Sequence, residues 1–251
     1  MDYYDDRPLS FAHRGASRQA PQNTLAAFLR AAELGADGIE LDVQLSKDGE
    51  LVVIHDFRLE VTTDGSGPVR ARTLAELKEL DAGSWFAPAF AGQRIPTLQE
   101  VMEAVGQRLL LNIELKTTGL RDDGLAAAVA RAIEENRLLD RVVVSSFNPM
   151  AVWRIKRLAP AIPVGLLYAP HLPYLLRKPW TRHLIDLEAL HPQHSLVDER
   201  FVHWARQRRY RVHTWTVDDP EEMQRLARLG VDIIISTRPD LLTQVGRTRR
   251  Q

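Results

Sequence analysis

Apolar and polar side chains alternate through residues 38–43, a period of two that predicts a β-strand. Glu40 and Asp42 fall on one face of it, with Ile39, Leu41 and Val43 on the other. A turn at Lys47, Asp48 and Gly49 leads into a second apolar stretch, 51–54, which ends in His55 and Asp56. The connection is too short for a parallel crossover, so the two stretches form a hairpin. It folds His55 back towards the acidic pair.

Elsewhere the hydrophobic period switches repeatedly between two and 3.6. Strands are predicted at 9–13, 109–116, 142–146, 164–168, 189–191, 212–217 and 232–236. Helices are predicted at 23–34, 97–105, 123–135, 148–158, 199–208, 220–229 and 239–245. Asn23 or Thr24 caps the first helix, and Thr97 with Glu100 has the spacing of a capping box. Gly35 and Gly230 stop two of the helices. Residues 57–95 are long and irregular, with a short helical piece starting at Thr73. In 109–116, Asn112, Glu114 and Lys116 share a face opposite Leu111, Ile113 and Leu115.

Leaving out the hairpin's return strand, about eight strands alternate with helices, the pattern of an α/β fold of the (β/α)8 TIM-barrel type. A doubly wound sheet is the runner-up, but no Gly-rich dinucleotide fingerprint follows the first strand. Barrels of this type carry their active residues at the C-terminal strand ends. Here those ends hold His13 and Arg14, Glu40 and Asp42, Glu114 and Lys116, Ser145 and Ser146, and Trp215. Five strands thus supply polar groups to one mouth, and His55 reaches the same rim through the hairpin.

The acidic pair has a chemical implication. Two carboxylates side by side repel, and a hard divalent cation, Mg2+ or Ca2+, relieves that repulsion. Blander readings stand beside it. Glu40 and Asp42 also fit a solvated edge strand, and Glu114 with Lys116 fits a structural salt bridge. His13 alone reads as a packed core histidine, His55 and Asp56 as a plain strand end, and Trp215 as an ordinary core aromatic. Convergence on one mouth favours the functional reading of all of them. Ser145 lacks the strained Gly-x-Ser-x-Gly elbow of a triad nucleophile.

Composition narrows the picture further. A chain of 251 residues fits one large domain, 1–251. The formal net charge of +0 gives no electrostatic case for nucleic acid or an anionic membrane. The absence of cysteine excludes disulfides and thiolate metal sites. Residues 1–10 lack the apolar segment of a secretory signal, and no apolar run reaches the roughly 20 residues that span a bilayer. A cytoplasmic protein without stable membrane insertion is expected; oligomeric state has no signature here. His171, His183, His191, His194, His203 and His213 are expected on the surface or in loops. The basic, aromatic stretch 171–185 is expected as an amphipathic helix packed on the barrel, with a lid over the site as the alternative.

Several short motifs resemble the glycerophosphodiester phosphodiesterase family. They are His13-Arg14-Gly15, residues 21–24, residues 35–43, Lys47-Asp48-Gly49, residues 53–56, residues 112–116, residues 145–147, residues 215–217 and residues 230–232. The resemblance spans roughly 9–243. It implies a TIM barrel with an insertion after the second barrel strand, about 57–97. It also implies hydrolysis of small-molecule glycerophosphodiesters to glycerol 3-phosphate and an alcohol. By motif, Glu40, Asp42 and Glu114 bind one divalent cation, and His13 and His55 are the acid and base pair. Arg14 and Lys116 hold the phosphate, while Trp215 and Phe147 contact the substrate. Two alternatives accompany this reading. One is phospholipase D-like or lyase chemistry on lysolipids, which needs an apolar groove near 171–185. The other is a non-catalytic phosphoester-binding barrel. Gln22, Asp218 and Thr237 depart from the family pattern, which bears on hydrogen bonding behind the site.

Overall fold

The computed structural model describes residues 7–174 and 177–247, so most of the acidic N-terminal decapeptide, Leu175 and Leu176, and the basic tail beyond 247 lie outside it. Among the described residues nine strands form: β1 (Leu9–His13), β2 (Gly38–Leu45), β3 (Leu51–Val53), β4 (Leu110–Leu115), β5 (Val142–Ser146), β6 (Val164–Tyr168), β7 (Ala189–Pro192), β8 (Arg211–Thr214) and β9 (Ile233–Ser236). Eight of them run parallel in the order β1-β9-β8-β7-β6-β5-β4-β2. Pairing of β1 with β2, in the register His13↔Glu40, closes the ring. This is the (β/α)8 barrel, with β3 added antiparallel beside the upper end of β2 (Val43↔Val53).

The helices are α1 (Leu25–Glu33), α2 (Leu74–Lys78), α3 (Leu98–Val105), α4 (Leu125–Glu135), α5 (Pro149–Leu158), α6 (Glu199–Gln207), α7 (Pro220–Leu229) and α8 (Pro239–Arg247). Their starts obey local chemistry. The Thr24 hydroxyl accepts from the Ala27 N–H, and full capping boxes begin α2 at Thr73 and α3 at Thr97. Each such cap is worth about 1 kcal/mol. Gly230, in the left-handed region, ends α7. No helix among the described residues is long and apolar enough to cross a membrane.

The alternation read from the sequence sorts two apolar layers. Ile39, Leu41 and Val43 of β2 point outward against Phe28, Val101 and Val105 on the helices. Phe11, Leu110, Ile233 and Ile235 point inward and fill the barrel's interior. Gly38 is required there, because a Cβ on it would come within 2.6 Å of the Phe11 ring.

Two expectations fail. The stretch 171–185 contains no α-helix among its described residues, only a 3-10 turn at Trp180–His183. Its two prolines, Pro173 and Pro179, disfavour the helical region at the residues before them and remove two backbone donors from the stretch. The repeat of strand and helix therefore lapses once, between β6 and β7.

The second failure concerns His191 and His213, which are fully buried inside the barrel with ring centroids 4.5 Å apart. His191 occupies space left by Gly165 on the neighbouring strand, where a Cβ would approach its Nε2 to 2.2 Å. Short parallel strands are buried on both faces, so a polar residue on one has nowhere else to go. Burial lowers the His191 pKa from 6.5 to about 3, and burial likewise lowers that of His213. Below pH 6.5 the unfolded chain binds a proton at His191 that the folded barrel refuses until about pH 3. Stability is therefore complete above that window and declines as pH falls through it, by about 1.4 kcal/mol per pH unit for one imidazole. Replacement His191→Leu is expected to shallow the acid decline of urea-unfolding free energy by that amount; parallel declines in the two proteins would refute it.

Residues 54–97 wind away from the barrel and return. They carry a small apolar cluster of their own: Ile54, Leu59, Val69, Leu77, Ala82 and Ile95 gather around Val52 of β3. Asp81 organises one bend by accepting N–H bonds from Gly83, Ser84 and Gly92. A Lys78–Glu100 ion pair ties α2 to α3.

Candidate active site

At the C-terminal mouth of the barrel, β1, β2 and β4 end side by side, and their registers place His13 beside Glu40 and Asp42 beside Glu114. The chain leaving β1 turns sharply, with Arg14 at φ 56° and Gly15 at φ 81°. A Cβ on Gly15 would strike the Ala27 backbone at 2.7 Å, so this turn demands glycine. The turn aims the Arg14 N–H at Glu40 Oε2, 3.0 Å away. It also sets the Arg14 guanidinium between the Gln22 side-chain oxygen (Nη1 to Oε1, 2.7 Å) and Asp42 (Nε to Oδ2, 3.4 Å).

Asn23 is held in the left-handed region too, at φ 57°, and its Nδ2 donates to Asp42 Oδ2 at 2.9 Å. The sequence marks Asn23 as a helix-cap candidate and as part of the 21–24 motif, with no role at the site. Nothing local announces the contact, since 19 residues separate the partners. The departure at Gln22 keeps a working bond: a neutral amide oxygen receives the arginine.

Oxygen atoms of Glu40, Asp42 and Glu114 lie within 4.8 Å of one another, all three residues being buried. Lys116 Nζ sits 2.9 Å from Glu114 Oε1 and 3.5 Å from Asp42 Oδ1. Burial, then the charges of Asp42 and Glu114, pushes the Glu40 carboxyl well above its usual range. Burial also raises Glu114, against the pull of Lys116. Burial would raise Asp42 as well, but Lys116 and Arg14 hold it down at about 2. Three buried carboxylates that oppose one another's ionisation, one with its Oδ1 lacking a hydrogen-bond donor, suit a hard divalent cation. The residues present fit such an ion.

The two imidazoles face this cluster. His13 Nε2 lies 3.8 Å from Glu40 Oε2; burial and the charge of Arg14 lower its pKa to about 3. His55 follows β3, with Nδ1 3.2 Å from Asp56 Oδ1, and burial lowers its pKa as well. One amide pins its backbone: Gln44 Nε2 contacts the carbonyls of Ile54, His55 and Asp56 at 2.9, 3.2 and 2.9 Å.

A cavity of about 320 Å³ brings together His13, Arg14, Glu40, His55, Glu114, Phe147 and Trp215. Asp42 lies beneath them, and Lys116 faces an adjoining groove instead. Trp215 is fixed by an indole N–H bond to the His191 carbonyl and an edge-on contact with Phe147, centroids 5.4 Å apart. His171 also lines the cavity. The sequence expectation for this histidine is a surface or loop position, and only the alternative reading of 171–185, a lid over the site, brings it to the mouth. Ser145 is buried and donates to Asn112, away from any base.

The two remaining departures answer each other: Asp218 accepts from the Thr237 N–H and hydroxyl and from Ser236. This pair stitches the loop after β8 to the end of β9.

Comparison with known proteins gives a consistent result. Residues 13–241 match the model of the glycerophosphoryl diester phosphodiesterase family. A glycerophosphodiester phosphodiesterase of Caldanaerobacter subterraneus is 44% identical over 243 residues, covering 96% of this chain and 98% of that protein. A phosphodiesterase from Oleispira antarctica, solved in complex with the product sn-glycerol-3-phosphate, superposes with a TM-score of 0.86 at 36% identity, over 95% of this chain and 96% of that one. A glycerophosphodiester phosphodiesterase from Agrobacterium tumefaciens gives 0.81 at 30% identity, over 94% and 99%.

Proposed function

The chain belongs to the glycerophosphoryl diester phosphodiesterase family and is a phosphoric diester hydrolase; from that premise we propose a metal-dependent, two-histidine mechanism for it. The substrates are small glycerophosphodiesters, and the products glycerol 3-phosphate and an alcohol. One observation carries the reading: two imidazoles, one guanidinium and two of three clustered carboxylates open onto a single cavity, with the third directly below. The product bound by the Oleispira relative supports the same substrate class. Residues 57–97 are read as an insertion within one catalytic unit.

A phosphodiester is an anion that repels nucleophiles, so its charge must be offset before attack. Arg14 offers a planar fork and Lys116 a point charge, both suited to phosphoryl oxygens. Glu40, Asp42 and Glu114 would hold one Mg2+ or Ca2+. Bound there, that ion supplies Lewis-acid polarisation of a phosphoryl oxygen. One imidazole takes the proton from the attacking water or from the neighbouring glycerol hydroxyl. The other returns a proton to the departing alkoxide, so each reaction consumes one water and releases one alcohol. Histidine is the usual residue for such transfers, and burial favours the neutral, proton-accepting form at both His13 and His55. Trp215 and Phe147 form the apolar wall against the glycerol carbons.

The test is a panel of glycerophosphodiesters assayed for released glycerol 3-phosphate, with chelator and then with Mg2+ or Ca2+ restored. Activity lost to chelator and regained with metal is expected. Full activity in the chelated protein would remove the cation from the reaction.

A further inference from the structure

Arg14 and Asp42 stand side by side without forming the pair that their charges favour. Their side chains are 19% and 1% exposed, and Nε lies 3.4 Å from Oδ2. The Arg14 Nε is buried without a hydrogen-bond partner, and so is Asp42 Oδ1. A guanidinium next to a carboxylate ordinarily closes into two parallel N–H···O bonds of about 2.7–2.9 Å. Something holds these two apart.

Two consecutive residues take one partner each. Gln22 Oε1 accepts from Arg14 Nη1 at 2.7 Å, and Asn23 Nδ2 donates to Asp42 Oδ2 at 2.9 Å. The Asp42 N–H in turn points at Asn23 Oδ1, 3.4 Å away. The turn is tied down as well, because the Asn23 N–H donates to the Arg14 carbonyl at 3.0 Å. Asn23 is buried at φ 57°, a conformation that costs a non-glycine residue about 1–3 kcal/mol. Starting α1 requires no such strain, since the residue that caps it, Thr24, is extended at φ −111°. The strained residue is the one that reaches Asp42.

We propose that Gln22 and Asn23 are positioning residues that keep Arg14 and Asp42 from closing on each other. The guanidinium then remains available to a phosphoryl oxygen, and the Asp42 carboxylate to a divalent cation. Closed into a bidentate pair, the two charges would cancel and draw in neither ligand. The proposal rests on the metal-dependent reading above and adds what stops its anionic and cationic halves from neutralising each other.

The test is calorimetric titration of the chelator-treated protein with Ca2+ and with Mg2+, which involves no turnover. Asn23→Gly removes the side chain and relieves the strain, because glycine accepts a φ near 57°. Circular dichroism confirms that the variant folds. Its dissociation constant for the ion is expected to rise about 10–100-fold, the usual effect of losing a partner behind a metal ligand. Gln22→Met, similar in size but without the acceptor, is expected to weaken binding in the same direction. Arg14→Met supplies the decisive background, since it leaves no guanidinium to close on Asp42. There Asn23→Gly is expected to cost much less affinity than it does with Arg14 present. Equal losses in the two backgrounds overturn the proposal, because Asn23 then acts on Asp42 alone. Wild-type affinity in either Asn23→Gly or Gln22→Met overturns it as well. A wild-type protein that takes up neither ion defeats the metal-dependent reading itself, and the proposal falls with it.

Discussion

His13→Ala and His55→Ala are each expected to lower glycerophosphodiester turnover by about 10²–10⁴-fold, the usual worth of one proton transfer in a transition state. The loss is expected to fall on kcat, because Arg14 and Lys116, the proposed phosphate ligands, keep their own supports at Gln22, Asp42 and Glu114. A group that acts on the reacting atoms lowers kcat and kcat/KM together, whereas a group that only binds raises KM. Steady-state kinetics of the two variants on one substrate separate these cases. The double variant should lose far less than the product of the single losses, since the two histidines serve one reaction. Wild-type kcat in either single variant would end the pairing.

The second large effect lies in the carboxylates and is read without any assay of turnover. Glu40 sits buried beside two other carboxylates, so the cation-free protein carries an unfavourable cluster. Glu40→Gln removes one ionisable group from that cluster and retains an oxygen to accept the Arg14 N–H. In the absence of cation this variant is expected to melt at or above the wild-type temperature. A divalent ion at a hundred times its dissociation constant stabilises a folded protein by about 2.7 kcal/mol. For a chain of this size that is a rise in Tm of about 5–10 °C. The rise should appear in wild type and vanish in Glu40→Gln. An equal rise in both proteins places the ion elsewhere. A site residue whose loss stabilises the empty protein is one kept for binding.

The parts of this molecule that can be read from sequence are those governed by local rules. Period-two alternation in β2 and β4 announces both strands and the inward face of Glu40, Asp42 and Glu114, because strand geometry leaves no other arrangement. Capping at Thr24 and Thr97 and the glycine after α7 locate three helix ends in the same way. What escapes is set by partners distant along the chain. Asn23 is committed to Asp42, Gln44 to three carbonyls ten to twelve residues on, and Asp218 to Thr237. The two interior histidines were legible in principle. Each lies within a short strand of a parallel barrel, and that context decides in favour of burial over exposure. The irregular course of 171–185 follows from its two prolines, whose veto outweighs its apolar composition.

The amide of Gln44 has a further consequence. It grips the main chain on both sides of His55 from the last turn of a barrel stave, ahead of the long excursion to α3. The imidazole is thereby anchored upstream of that whole excursion. Residues beyond Asp56 are free to lengthen, shorten or change character without dragging the histidine with them. The position of His55 and the length of the excursion after it are thus set independently, by consecutive residues of one loop.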